Sequence, residues 1–228
     1  MAEGQQGRNR GLILQNEANA PAGYFADWLE ARGIEHEIVR PFQDFVPVEP
    51  QSYGWICSLG SDSSTNQDEP EWIPAEIEFL RRAVSADVPV LGICFGGQAL
   101  ARAMGAPVVR AEPPLAGWYE IEPAGEWLSP GPWVHFNSEQ LSIPDSARLI
   151  AHGPAGAAGF VRGPHLGLQF HPEASPAIVT HWIELEHDKL VERGVEPDAI
   201  RAQGERFGAG SSERAFALFD GWWTRARP

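Results

Sequence analysis

The sequence predicts a single-domain α/β protein with a doubly wound, mostly parallel sheet, flanking helices and a small, loop-rich antiparallel extension. Short apolar runs alternate with helical patterns, starting with a β-α-β unit at residues 11–39. An apolar run over 88–93 stops at Cys94 between glycines and continues as a helical pattern. No linker divides the 228 residues, and 43% hydrophobic content suffices for one substantial core. In such sheets, sites lie at the carboxyl ends of the strands.

The elements of the first half follow from local patterns. Residues 1–10 are polar and glycine-rich and predict a flexible tail, and the predicted domain runs from 11 to 228. Strands are predicted at 11–15, 34–39 and 53–58, with a helix at 21–33 whose apolar residues recur every three to four positions. A polar loop at 59–64 follows the third strand, and a helix is predicted at 72–86.

The second half begins with a predicted helix at 98–104 that ends at Gly105. Residues 106–144 are dense in proline, glycine and tryptophan, with strand-like runs at 118–121 and 132–136, which predicts antiparallel, loop-rich structure. A short strand is predicted to end at His171. A C-terminal helical extension covers about 176–228, with one helix from Pro176 through Leu190, a segment at 197–207 and a last helix around 216–223.

Composition narrows the possible partners and the compartment. There are 17 Lys and Arg residues against 31 Asp and Glu residues, a net charge of −14, which argues against nucleic acid as a partner. No apolar run reaches the roughly 18 residues needed to span a bilayer, so no membrane partner is predicted. Only two cysteines occur and no signal-like leader opens the sequence, which predicts a reduced, cytoplasmic protein.

Cys94 stands where a nucleophile would be expected. Glycines on both sides suit a sharp strand-to-helix turn that lifts one side chain clear of the sheet. The unpaired amides of the helix start then favour a thiolate. Taken alone, the pattern is equally compatible with an inert buried cysteine.

The segment around residue 170 supplies the partners that a cysteine hydrolase needs. A short apolar run, 167–170, ends in His171, Pro172 and Glu173. A histidine and a carboxylate two residues apart at the end of a strand can act as a general base and the group that orients it. The predicted catalytic residues are therefore Cys94, His171 and Glu173.

The two motifs together resemble those of the class I, triad-type glutamine amidotransferases, which pair G-x-C-x-G-x-Q with a later H-P-E. Here the motifs read GICFGGQ at 92–98 and HPE at 171–173. The resemblance covers most of the chain and is strongest to free-standing domains similar to the amidotransferase part of GMP synthase. It implies a flavodoxin-like class I amidotransferase fold, and neither a cofactor nor a metal is predicted. The histidines also show no metal-ligand spacing.

The resemblance also implies an oxyanion hole and a substrate site. The amide of Gly60 would form half of the hole, although Ser61 and Asp62 replace the usual glycine and proline pattern there. The amide of Phe95, directly after the nucleophile, would form the other half. Gln98 matches a position that contacts the α-amino acid end of glutamine.

A further family stretch, which holds the same end of glutamine, aligns with Asn137, Ser138 and Glu139. These three residues stand where histidine, glycine and aspartate are usual. The changes leave the substrate open between glutamine and a γ-glutamyl conjugate.

Three functions compete at this point. The first is a glutaminase that passes ammonia to a separate synthase through a Cys94 thioester, and the second is a γ-glutamyl hydrolase with the same triad. The third is a catalytically silent regulatory binder, which the intact triad argues against. About 55 residues follow Glu173, too few for a synthase domain, so any acceptor chemistry is predicted to lie in another chain.

Overall fold

A computed structural model describes residues 10–44 and 49–226. Within these residues nine strands form one sheet, in the order β2-β1-β3-β4-β9-β8-β7-β5-β6. The strands are β1 Gly11–Leu14, β2 His36–Val39, β3 Trp55–Ser58, β4 Val90–Ile93, β5 Val108–Pro123, β6 Gly131–Leu141, β7 Arg148–Gly153, β8 Gly156–Arg162 and β9 His165–Leu168. The tail predicted at 1–10 lies outside the described residues except for Arg10.

Helices cover both faces of the sheet, as a doubly wound fold requires. The helices of the described residues are α1 Gly23–Ala31, α2 Pro41–Asp44, α3 Trp72–Ser85, α4 Phe95–Ala103, α5 Pro176–Leu185, α6 His187–Glu192, α7 Pro197–Phe207 and α8 Ser211–Ala226. A short 3-10 turn at Pro50–Ser52 precedes β3.

The parallel half of the sheet consists of β2, β1, β3, β4 and β9. All four residues of β1, β3, β4 and β9 are buried, whereas edge strand β2 is partly exposed. Strands that are covered on both faces appear in the sequence as continuous apolar runs, so these strands could be predicted from the sequence. The predicted α/β fold with a mostly parallel centre is therefore confirmed.

The antiparallel half is more regular than a loop-rich extension. Strands β5 and β6 form a long antiparallel pair, and β7 and β8 link it to β9. The predicted runs at 118–121 and 132–136 are parts of β5 and β6, which have 16 and 11 residues. Strands β7 and β8 were not predicted. Their register shifts and glycines hide the alternation that identifies a strand in sequence.

Two helix layers hold separate cores. On one face, Phe25 of α1 packs edge-to-face on Phe219 of α8, with ring centroids 5.0 Å apart. Trp222 of α8 is also buried in this cluster, so the aromatic tail belongs to the core. On the other face, Phe79 of α3 and Leu100 of α4 are fully buried in a second cluster.

Three predicted boundaries differ from the structure. Helix α4 begins at Phe95, directly after Cys94, rather than at Gln98. Strand β9 ends at Leu168, and His171 follows in an isolated bridge to Val134. The single helix predicted from Pro176 through Leu190 is two helices, because the chain leaves helical geometry at Glu186 with φ −100° and ψ 10°. No helix in the described residues is long and apolar enough to cross a membrane.

Candidate functional site

Cys94 occupies a strained turn between β4 and α4. Its φ of 53° and ψ of −109° lie in a region that non-glycine residues rarely adopt. The Cys94 amide donates to the carbonyl of Leu168 in β9, at 2.9 Å, which anchors the turn to the sheet. The sequence therefore places a single side chain at the carboxyl end of a central strand, at the start of a helix.

The glycines after Cys94 are required by close packing. A Cβ atom at Gly96 would lie 2.0 Å from the carbonyl oxygen of Ser58 in β3. A Cβ atom at Gly97 would lie 2.2 Å from the carbonyl oxygen of Leu168. Real Cβ atoms do not approach backbone atoms this closely, so α4 can lie against β3 and β9 only with glycine at both positions.

His171 and Glu173 form a buried pair. Nδ1 of His171 lies 2.7 Å from Oε1 of Glu173, and the side chains are 5% and 1% exposed. The His171 amide donates to the carbonyl of Val134 at 2.8 Å, and its ring lies edge-on to Trp182 at 4.8 Å. These contacts fix the ring, so that Nδ1 faces the carboxylate and Nε2 is left for another partner.

Electrostatics favour a charged His171 ring. Burial opposes the charge, but Glu173 and then Cys94 outweigh it and raise the pKa of His171 to about 10. Nε2 of His171 is buried and has no hydrogen-bond partner among the described residues. The sulfur of Cys94 lies 3.9 Å from the carbonyl oxygen of Phe136, to which it can donate. The structure thus brings the three predicted catalytic residues together, with the imidazole in electrostatic reach of the thiol.

Gly60 lies directly beside this group. An added Cβ atom at Gly60 would be 2.9 Å from Cε1 of His171 and 3.8 Å from Cβ of Cys94. Among the described residues, the Gly60 amide donates to no acceptor. The amide of Phe95 opens helix α4 and has no carbonyl one turn back within that helix. Both residues predicted for the oxyanion hole therefore lie next to Cys94.

Two cavities in the described part of the chain meet at Cys94. The larger, of about 340 Å³, is lined by Gln98 and by residues 137–139, which are the four predicted substrate-binding positions. The smaller, of about 200 Å³, is lined by Gly60, His171 and Trp182. Cys94 therefore borders both cavities.

The predicted substrate residues are tied to one another. Nε2 of Gln98 and Nδ2 of Asn137 each donate to the carbonyl of Glu139, at 3.0 Å in both cases. Gln98 is only 4% exposed, so it does not face solvent as an ordinary residue of the first helical turn would. The Glu139 carboxylate accepts from Oγ of Ser64 at 2.8 Å, which links β6 to the polar loop after β3.

Several lining residues were not predicted from the sequence. Lys189 and Arg193 line the larger cavity from the C-terminal extension, and Trp182 and Phe136 line the smaller one. Lys189 bridges Glu186 at 2.9 Å and Asp62 at 3.7 Å. No local pattern marks Trp182, Lys189 and Arg193 as site residues, because only the packing of α5 and α6 brings them there. Phe136 lies in β6, directly before the predicted residues 137–139.

The described residues contain no cluster of side chains that could bind a metal ion. No group of three or more His, Cys, Asp or Glu side chains lies close enough to hold an ion. His135 is buried near the site, and burial and then the charge of His171 lower the pKa of His135 to about 3. It is therefore neutral at ordinary pH.

Comparison with known proteins finds a family model that matches part of the chain and solved structures that share the fold. Residues 28–124 match the family model for class I glutamine amidotransferases. The chain is 34% identical, over 58% of its length, to aminodeoxychorismate synthase of Streptomyces pristinaespiralis and 29% identical, over 68%, to glutamine-hydrolysing GMP synthase of Teredinibacter turnerae. It spans only 19% and 33% of those two proteins. The crystal structure of a glutamine amidotransferase from Methylobacillus flagellatus is 26% identical, with a TM-score of 0.87 over 95% of this chain and 94% of that one.

Proposed function

We propose that the chain, in which residues 28–124 match the family model for class I glutamine amidotransferases, hydrolyses glutamine through a thioester on Cys94. The observation that carries the proposal is the arrangement around Cys94. A buried His171–Glu173 pair, 2.7 Å apart, and the backbone of Gly60 and Phe95 lie next to one strained cysteine. The released ammonia would pass to a separate synthase.

The first half of the reaction forms the thioester. The sulfur of Cys94 attacks the side-chain amide carbon of glutamine, and His171 holds the thiol proton. The amides of Gly60 and Phe95 donate to the developing oxyanion, a contribution of typically about 2.7–4 kcal/mol for each donor. The charged ring that a raised pKa favours at His171 then protonates the departing ammonia.

The second half releases glutamate. His171, now neutral, takes a proton from water as the water oxygen attacks the thioester carbon on the side that ammonia has left. The C–S bond then breaks, glutamate is released, and His171 returns the proton to the sulfur of Cys94. Glu173 keeps Nδ1 of the ring protonated, so that Nε2 faces the reacting atoms in both halves. These steps use only side chains, backbone amides and water.

The larger cavity suits the α-amino acid end of glutamine. Gln98 and residues 137–139 line it, and its charged lining residues have both signs, including Glu139 and Arg193. An α-ammonium and an α-carboxylate can therefore both find a partner of opposite charge. His171 lines the smaller cavity, and Cys94 lines both. With its α-amino acid end in the larger cavity, glutamine would present its side-chain amide to Cys94 and to the base in the smaller one.

Two relatives support the proposal that a synthase uses the ammonia. The chain corresponds to a fifth to a third of two relatives that are named as synthases. We propose that a synthase component of this kind accepts the ammonia that the chain releases. A reduced Cys94 is needed for the reaction, and neither cysteine forms a disulfide in the structure, which suits the cytoplasmic location that the sequence predicts.

A γ-glutamyl hydrolase is the second candidate, and one observation favours it. The cavity on the His171 side is about 200 Å³. Ammonia is close in size to water, whose share of liquid volume is roughly 30 Å³. The space could therefore hold a larger leaving amine, as in a γ-glutamyl conjugate.

Steady-state glutamate release from glutamine and from a series of γ-glutamyl amides separates the two candidates. We expect slow release from glutamine that rises when a synthase partner binds. Rapid, partner-free turnover of a conjugate, with glutamine ignored, would instead establish the hydrolase. Cys94→Ala should abolish both activities, and Cys57→Ala, which removes the other thiol from the same sheet, should retain them.

A further inference from the structure

A buried carboxylate outside the proposed triad lies close to the polar loop at 59–64, which we call the oxyanion loop because it contains Gly60. Glu76 projects from α3 and is 0% exposed. A carboxylate is costly to bury unless it is hydrogen-bonded, so a fully buried one indicates a specific set of partners. None of the steps proposed above uses Glu76.

Hydrogen bonds connect Glu76, through Asn16, to the backbone carbonyl of Leu59. Oε1 of Glu76 accepts from Oγ of Ser58 at 2.6 Å and from Nδ2 of Asn16 at 3.1 Å. The same Nδ2 of Asn16 donates to the carbonyl oxygen of Leu59 at 3.0 Å. All of these contacts are buried. Glu76 therefore orients the Asn16 amide, and the Asn16 amide holds the Leu59 carbonyl.

The Leu59 carbonyl is one end of the peptide unit whose other end is the Gly60 amide. The peptide group is planar and nearly always trans, so a fixed C=O direction also fixes the N–H direction. A second donor, the Gly96 amide of α4, reaches the same carbonyl at 3.1 Å. With donors from Asn16 and Gly96 on its oxygen, this peptide cannot rotate without breaking two buried hydrogen bonds.

We propose that Glu76, acting through Asn16, is a positioning residue that holds the Gly60 amide in the direction required for the oxyanion hole. This inference rests on the proposed function, since it concerns a donor to the oxyanion of the thioester-forming step. Catalysis by such donors depends on their being aimed before charge develops, because a donor that must reorient loses much of its advantage. Glu76 touches no reacting atom.

Three variants test the role. Glu76→Leu replaces the hydrogen-bond acceptor with an apolar side chain of similar size. Asn16→Ala removes the donor to the Leu59 carbonyl. Glu76→Gln keeps an oxygen that can accept from Ser58 and Asn16. Glu78→Leu is the matched control, because Glu78 lies on the exposed side of the same helix and pairs only with Arg81 among the described residues.

We expect kcat for glutamate release to fall by about tenfold or more in Glu76→Leu and Asn16→Ala, short of the roughly 10²–10³-fold cost of deleting an oxyanion donor. KM should stay within about twofold, because the donor acts on the transition state rather than on bound substrate. Glu76→Gln should recover most of kcat. Because both residues act through one carbonyl, the double variant Asn16→Ala/Glu76→Leu should lose little more than the worse single variant.

Alkylation of Cys94 by iodoacetamide separates positioning from general damage, because this reaction forms no oxyanion. The alkylation rate in Glu76→Leu and in Asn16→Ala should match that of the wild-type protein. A raised KM with unchanged kcat, full kcat in either variant, or a loss of kcat that follows only the loss of folded protein in thermal melts would overturn the role of Glu76. A wild-type protein that releases no glutamate from glutamine or γ-glutamyl amides refutes the proposed function itself, whereas an active wild type with fully active variants refutes only the positioning role.

Discussion

The protein should lose stability as the pH rises from about 4.5 to 7, and replacing Glu76 with glutamine should remove much of this loss. Burial raises the pKa of Glu76 from its ordinary value of 4.5 to about 7, even though hydrogen bonds from Ser58 and Asn16 act in the opposite direction. A carboxyl whose pKa is raised on folding binds its proton more tightly in the folded state than in the unfolded chain. The folded state must therefore give up free energy when the solution forces that proton off.

The sign and size of the effect follow from linkage. Below the unfolded pKa of 4.5 the stabilisation from the proton on Glu76 is fully present, and it is lost as pH rises through about 7. At about 1.4 kcal/mol per pH unit, the free energy of unfolding should fall by about 3 kcal/mol across this window on account of Glu76 alone. For a protein of this length that corresponds to a melting temperature about 6–12 °C lower.

The assay is urea unfolding of wild type and Glu76→Gln between pH 4 and 9, with the difference in free energy of unfolding plotted against pH. Titration of all other groups is shared by the two proteins, so the difference isolates Glu76. We expect the difference to shift in favour of Glu76→Gln by about 3 kcal/mol between pH 4.5 and 7 and then to stay constant. Glu78→Gln, on the exposed side of α3, should show a much weaker dependence. A difference for Glu76→Gln that does not change with pH would show that the buried carboxyl carries no raised pKa.

Three further predictions concern the site itself. Iodoacetamide should label Cys94, which opens into both cavities, and spare Cys57, which is 0% exposed and whose pKa is raised by burial and then by Glu173; equal labelling in mass spectrometry would contradict this. Glu173→Gln should keep a kcat roughly ten- to hundredfold higher than that of His171→Ala, because His171, the proton carrier, remains. Equal kcat values in two well-folded variants would refute the assigned roles. Gly60→Ala should lower kcat, because the new methyl group would lie 2.9 Å from Cε1 of His171 and must displace the ring, and an unchanged kcat would remove Gly60 from the site.

Local constraints explain which parts of the site could be predicted from the sequence. The turn at Cys94 needs small residues next to it, so its glycines appear within a few positions of the nucleophile. His171 and Glu173 are two residues apart, so their pairing also depends on local geometry. The central strands are covered on both faces and appear as apolar runs.

The ends of the elements were harder to predict because tertiary contacts decide them. Helix α4 starts at Phe95 because Cys94 adopts a positive φ, which no propensity scale contains. The chain around His171 leaves β9 and instead donates to Val134 in β6, a strand about 35 residues earlier in sequence. A long-range hydrogen bond of this kind leaves no periodic trace in the residues on either side.

The sequence by itself determined the parallel core, the nucleophile turn and the pairing of histidine with glutamate, because each depends on residues that are close in sequence or on simple burial. Only the tertiary structure decided that Gly60 lies against His171, that Lys189 and Arg193 reach the substrate cavity, and that Glu76 connects to the oxyanion loop. Those contacts join elements that are distant in the chain. Their geometry depends on how helices pack on the sheet, and a single sequence carries no local record of that packing.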